Sequence, residues 1–318
     1  MAGEQTERRM VAFSRAEAFE RNHGLISLAE QETLANSLVA IAGCGGVGGL
    51  HAHTLARLGV GHFRITDSDT FSIANINRQI GATSRTLGTS KVEVTAEMIR
   101  AINPEATVEV GNGFIAADNV AAFVAGANLV IDGVDFFALS ARRQLFAAAW
   151  KVKIPALTAA PLGFSATLHV FAQGGMSFDE YFDIADDEDA FEQLMKFIVG
   201  LAPSALHLPY MDLSTVNIET GRGPSSILGS QMAATIAGGE TLAILLKRRK
   251  PMLAPNYLQF DSFRQVLRKQ RLTGGNRNWL QRIKRYMLTK KFRELGLDQS
   301  FLKKSAAGNI AAPIKRGV

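Results

Sequence analysis

A doubly wound, mostly parallel α/β sheet, with N-terminal helices before it and a C-terminal helical, basic extension after it, is the fold this sequence predicts. Three observations carry that expectation. Between residues 38 and 159, short apolar runs alternate with helical segments, the pattern of parallel strands joined by crossover helices. The first run, Leu38–Ala42, enters a glycine turn, Gly43-Cys-Gly-Gly-Val-Gly48, and a helix leaves it. Carboxylates follow two of the strands, Asp67 and Asp69 after one, Asp132 and Asp135 after another. Open α/β sheets bind their ligands in the crevice beyond such strand ends.

In chain order, residues 1–37 read as a charged helical lead-in, with Ser27-Leu-Ala-Glu-Gln31 as a capped first turn. The run at 38–42 suits a buried parallel strand. Gly43, Gly45 and Gly48 then fit G-x-G-x-x-G, the turn of a Rossmann-like sheet, ahead of a helix over 50–58. Without side chains, the turn lets backbone N–H groups approach phosphate oxygens, and the helix N-terminus adds a favourable dipole. A second strand, His62–Thr66, ends at Asp67 and Asp69, where one carboxylate would hold a ribose hydroxyl in a dinucleotide or in ATP. The next segment separates those two ligands. Asn75, Asn77, Arg78 and Gln79 crowd into five positions, and Lys91 opens a helix over 90–102. Arg78 and Lys91 together neutralise a polyphosphate, one as a bidentate fork and the other as a point charge. A nicotinamide cofactor carries only a pyrophosphate bridge and does not need both.

Further along, 129–131 is a strand and Asp135 lies just past it, at the end where open α/β sheets bind ligands. Asp132 reads either as a turn or capping residue or as a second carboxylate of the site. After 158 the alternation stops, and 166–171 is expected as a later, antiparallel strand. Residues 177–210 are acidic and partly helical, over 186–199, and are expected to cap the crevice or a dimer interface. A mobile loop near the substrate is expected over 213–225, with Gly221 and Gly223, and a last strand over 257–261.

The combination GCGGVG, TDSDTFSIANINRQ, GTSKVEV, INPE and DGVD resembles the ThiF/MoeB/HesA family of ubiquitin-activating-enzyme-like adenylyltransferases. The resemblance runs from about residue 21 to 171 and resumes at 224–246. It implies an enzyme that binds ATP and Mg²⁺, attacks the α-phosphate with a carboxylate and releases pyrophosphate. Carried over by position, it implies that Gly43, Gly45 and Gly46 line the phosphate turn and that Asp67, with Asp69 beside it, takes the ribose. Asn75, Arg78 and Gln79 would meet the phosphates, Lys91 would stabilise charge near the α-phosphate, and Asp135 would hold Mg²⁺. It also implies a homodimer in which Arg21 reaches across the interface as a charge-stabilising finger; His23 stands close enough in sequence to take the same place. The implied domains are a lead-in at 1–37, an adenylation domain at 38–262 with a helical insertion near 175–212, and a basic helical tail at 263–318 whose end is disordered.

Cysteine sets this chain apart from many relatives, which carry two Cys-x-x-Cys pairs around zinc and in some cases a thioester-forming cysteine. Its one cysteine, Cys44, lies inside the glycine turn, so a Cys₄ zinc site cannot be built. No zinc and no enzyme thioester are expected; the adenylate would be the end point or would pass to a non-cysteine nucleophile. The same count excludes an intramolecular disulfide framework. Apolar stretches break well before the ~20 residues of a spanning helix, and no signal sequence opens the chain, so a cytoplasmic enzyme is expected.

Charge divides the chain. Residues 1–246 hold 16 Lys+Arg against 26 Asp+Glu, whereas 247–318 hold 19 against 3. The basic part includes a helical segment at 278–295 in which Trp279, Tyr286 and Phe292 interleave with Arg and Lys. Such a segment can fold back on the acidic body, grip tRNA phosphates, lie on an anionic membrane or dock an acidic protein. Three function classes follow: adenylation of a carboxylate on a carrier protein, peptide or small molecule; activation of a carboxyl group on a tRNA base, as in threonylcarbamoyl-adenosine dehydratases; and an NAD-binding or catalytically silent nucleotide module.

Overall fold

The computed structural model describes residues 12–111, 113–217 and 223–298. Two short helices, α1 (Arg15–Ala18) and α2 (Leu28–Ala35), lead in, and Ser27 with Glu30 forms the reciprocal cap expected at α2. The sheet that follows has eight strands in the order β3-β2-β1-β4-β5-β6-β7-β8. These are β1 (Leu38–Ala42), β2 (His62–Thr66), β3 (Thr107–Gly111), β4 (Leu129–Asp132), β5 (Ala156–Leu162), β6 (Ser165–Phe171), β7 (Asn256–Asp261) and β8 (Val266–Arg271). β1 to β5 pair in parallel, and β6, β7 and β8 continue antiparallel, as expected for 166–171. Strand order reverses between β1, whose other neighbour is β2, and β4, whose other neighbour is β5. A crevice opens at such a switch point.

Both faces are covered, so the central strands are apolar throughout. Val39 and Ile41 face a core shared with α3 (Gly48–Leu58), α4 (Lys91–Ile102) and α9 (Ile227–Leu245). Ala40, Ala42 and Val130 face the other core, built with α5 (Val120–Val124), α6 (Leu139–Lys151), α7 (Phe178–Phe182) and α8 (Ala190–Leu201). Small residues let α9 lie close on β5 and β6: a Cβ on Gly229 would stand 2.6 Å from the Gly163 carbonyl oxygen. No described helix is long and apolar enough to cross a membrane.

Three expectations change in detail. The helix expected over 186–199 begins at Ala190, because Asp189 caps it by accepting the Glu192 N–H at 2.8 Å. The acidic segment 177–210, expected to cap the crevice or a dimer interface, also supplies Phe178, Phe182 and Phe197 to the core. The basic stretch after residue 262 opens with β8, which adds an edge to the sheet, before α10 (Trp279–Glu294). α10 leans on the acidic segment through Arg285, 3.5 Å from Glu192 and 3.9 Å from Asp183, and Arg277 lies 3.3 Å from Asp183. Part of the basic tail is therefore folded back on the body. Trp279, Tyr286 and Met287 stay exposed. Residues 218–222 of the expected loop, with Gly221, and the tail end from 299 lie outside the described residues.

Candidate active site

The glycine turn joins β1 to α3 at the switch point. Gly43 has φ +93°, and a Cβ there would stand 2.2 Å from the Gly133 carbonyl oxygen in the turn after β4. A Cβ on Gly48 would stand 1.8 Å from the Gly43 carbonyl oxygen. These two glycines are required by backbone meeting backbone. Gly45 and Gly46 are different. Their Cβ atoms would meet only Gln79 Nε2 at 3.7 Å and Ser230 Oγ at 3.8 Å, which are ordinary contacts. Internal packing does not demand glycine at either, so a backbone left bare for a ligand accounts for them. The N-cap of α3, Val47, gives no side-chain acceptor to the first-turn N–H groups, which leaves them for an anion.

Asp67 is held by the turn it faces. One carboxylate oxygen accepts the Cys44 N–H at 2.6 Å and the other accepts the Asp69 N–H at 2.8 Å. Each oxygen keeps a lone pair for a further donor such as a ribose hydroxyl. Asp69 pairs with Lys91 at 2.8 Å, so the ammonium is fixed at the start of α4 while only 7% of that residue is exposed. Asn75 spends its carbonyl oxygen on the Ser72 N–H at 2.9 Å and hydroxyl at 3.2 Å, closing a 3₁₀ turn. Its amide NH₂ is what it has left to offer. Gln79 is buried beside Gly45, and its Oε1 has no partner among the described residues.

Arg78 donates to the Ala74 carbonyl at 2.8 Å and to Asn77 Oδ1 at 2.9 Å. Half-burial pushes its pKa down, and the Asp135 carboxylate opposes that shift. The fold thus brings Arg78 and Asp135, from opposite sides of the switch point, within electrostatic reach. Asp135 is exposed, with Oδ1 accepting the Phe137 N–H at 2.9 Å and Oδ2 making no hydrogen bond among the described residues. Asp132 resolves the other way. It is buried, accepts the Val134 N–H at 3.0 Å and is paired with Arg142 Nε at 2.7 Å. Arg142 also donates to the carbonyls of Val134 (2.6 Å) and Phe136 (3.3 Å), on either side of Asp135. Asp132 therefore anchors the loop that presents Asp135.

That distinction bears on Mg²⁺. Among the described residues no cluster of three or more acidic, His or Cys side chains is placed to hold a metal. Asp135 alone at the crevice fits an ion that takes most of its ligands from phosphate and water. Cys44 is 1% exposed; burial first, and the Asp67 charge second, raise its thiol far above the ordinary range. It packs as a small apolar residue.

Two contributors, Gly133 and Ser230, lacked a sequence signal of their own. Gly133 meets Gly43 across the switch point. Asn77 Nδ2 donates to the Ser225 carbonyl at 3.0 Å, tying the loop at 73–79 to the start of α9, and the buried Ser230 of α9 has an unpartnered hydroxyl near Gly46. Arg21 is not brought to the site of its own chain. It is exposed in a short 3₁₀ turn whose neighbour Asn22 reaches Gln31, which in turn donates to Leu58 at the far end of α3. The length of α3, roughly 16 Å at 1.5 Å per residue, separates that end from Gly48.

A family model described as the ThiF family matches residues 19–279. The tRNA threonylcarbamoyladenosine dehydratase of Escherichia coli K12 is 38% identical over 133 residues, 42% of this chain and 49% of that protein. The molybdopterin-synthase adenylyltransferase of Salmonella typhimurium LT2 is 33% identical over 141 residues, 44% of this chain and 56% of that protein. The chain thus spans about half the length of these curated relatives. A crystal structure of E. coli MccB with ATP superposes with a TM-score of 0.62 at 17% identity, over 85% of this chain and 72% of MccB, and shares its fold.

Proposed function

The chain belongs to the ThiF family, and on that premise we propose that it is an adenylyltransferase that uses ATP and Mg²⁺ to activate a carboxylate. The observation that carries the reading is the bare Gly45–Gly46 backbone beside Gln79, with Arg78 and Asp135 converging on the same crevice. In the reaction, a substrate carboxylate oxygen bonds to the α-phosphorus. The bond from that phosphorus to the pyrophosphate oxygen breaks, and pyrophosphate leaves with the electron pair.

The turn N–H groups and Arg78 bind and orient the phosphates, Asp67 holds the ribose, and Lys91 stabilises charge at the α-phosphate. Asn75 and Gln79 add neutral donors. Mg²⁺, held by Asp135, would neutralise phosphate charge. Lys91 is paired with Asp69, so its ammonium is positioned before substrate arrives. Cys44 is buried and protonated, which supports chemistry that proceeds without an enzyme thioester. The substrate class is a carrier-protein C-terminus, a peptide or a small carboxylate, and the enzyme works as a cytoplasmic homodimer with Arg21 given in trans.

A second reading, activation of a carboxyl group on a tRNA base, draws on the dehydratase relative and on the exposed basic and aromatic face of α10. ATP–pyrophosphate exchange, run separately with tRNA, a peptide library and carrier proteins, tests both. Exchange supported by one class selects it, and calorimetry showing tighter binding of NAD than of ATP would sink the adenylation reading.

A further inference from the structure

A recess of about 520 Å³ lies between β8, the end of α8 and the start of α10. β7 runs parallel to β5, so Asn256 and Tyr257 begin at the sheet edge opposite the glycine turn, and antiparallel β8 brings Arg271 and Gln270 beside them. The recess is therefore remote from the crevice described above. Arg268, Arg271 and Lys284 line it, and no carboxylate does. Neither arginine makes an ion pair among the described residues, and Lys284 is held by the Pro203 carbonyl at 2.6 Å. Cations gathered without a counter-charge repel one another, and that repulsion is relieved when an anion enters.

The wall is built as well as charged. Tyr257 OH donates to Gln270 Oε1 at 2.7 Å, and Ser204 lies 2.8 Å from the same hydroxyl. Gln281, 2% exposed, also lines the recess, and neither its Nε2 nor its Oε1 has a partner among the described residues. A buried amide with both ends unpaired is costly, and buried polar groups in folded proteins are normally satisfied. A ligand that accepts from Nε2 removes the donor's share of that cost.

We propose that this recess is an anion site for a compact phosphoryl group, bound by Arg268, Arg271 and Lys284 with Gln281 as a neutral donor. Two guanidinium forks and an ammonium match an ion with several oxygens and more than one charge, which favours phosphate or pyrophosphate over a carboxylate. The buried position of Gln281 favours a small ion that enters the recess over a polymer backbone that tracks across its mouth.

The test is calorimetry on the full chain with a non-hydrolysable ATP analogue saturating the glycine-turn site, titrating inorganic phosphate and then pyrophosphate. Binding should be seen in the wild type and should weaken at least about tenfold in Arg268→Gln/Arg271→Gln and in Gln281→Leu, the scale of one lost charge-assisted or buried hydrogen bond. Gln281→Leu should melt no lower than the wild type, because it removes an unpaired amide. ATP–pyrophosphate exchange should be unchanged in both variants. Equal phosphate affinity in wild type and variants overturns the proposal. So does tight binding of a single-stranded RNA, lost in the arginine variant, by a chain that takes up neither phosphate nor pyrophosphate.

Discussion

Replacing Asp132 by Asn should strip the charge from a buried ion pair while keeping the side chain's shape and its acceptor for the Val134 N–H. Asp132 and Arg142 are 3% and 4% exposed and stand 2.7 Å apart, and the Arg142 guanidinium also lies 4.8 Å from the Phe197 ring centre. Removing one partner leaves the other as an uncompensated buried charge, a loss of about 3–5 kcal/mol. For a chain of this size that is a fall in melting temperature of roughly 4–8 °C. The two Arg142 bonds to the Val134 and Phe136 carbonyls should weaken with it, so nucleotide exchange should fall as the Asp135 loop loosens.

Asp135→Asn gives the contrasting result. An exposed carboxylate with one backbone partner contributes little to stability, so this chain should melt with the wild type and yet have no pyrophosphate exchange. Thermal melts by circular dichroism and an exchange assay on the same preparations read both quantities. Adding Arg142→Met to Asp132→Asn should recover much of the lost stability, because it removes the stranded charge. If Asp132→Asn melts with the wild type and loses only exchange, then Asp132 is a site carboxylate and the division drawn between the two aspartates is wrong.

Other expectations concern single groups. Arg78→Ala should weaken ATP binding by about 1.5–3 kcal/mol, the loss of a charge-assisted phosphate contact, and unchanged calorimetric affinity would remove Arg78 from the site. Mixing an inactive Arg21→Ala chain with an inactive Asp135→Asn chain should restore part of the exchange through hybrid dimers; mixed dimers that form and stay inactive exclude the trans arginine. Cys44→Ala should keep turnover within severalfold, and a substrate linkage on the wild type that thiol reagents cleave would argue for a thioester after all. Stability should fall as pH drops from about 6.5 to about 4, since burial lowers His51, His169 and His207 to about 4 and the unfolded chain then binds more protons. With three such groups the slope approaches about 4 kcal/mol per pH unit, and a flat melting profile across that window would contradict their neutral burial.

By itself the sequence determined whatever local geometry decides. Gly43 and Gly48 announce a turn because only glycine tolerates backbone contact so close, and the alternation of apolar runs with helical stretches sets strands and helices in order. Ser27 and Asp67 are legible for the same reason, since a cap and a strand end are defined within a few residues. Arg78, Lys91 and Asp135 were marked by type and position, and the fold sets Arg78 and Asp135 within electrostatic reach at one crevice.

Only the tertiary structure decided which of two aspartates three residues apart is buried against Arg142 and which is presented to solvent. It alone showed that Gly45 and Gly46 are bare without any packing need, and that 266–271 adds an edge strand where helix was expected. It also gathered Arg268, Arg271, Lys284 and the unpaired Gln281 into one recess from β8 and α10. The physical reason is common to all four. Burial, hydrogen-bond partnership and electrostatic neighbourhood depend on residues distant in the chain, and no spacing or periodicity along the sequence records those distances.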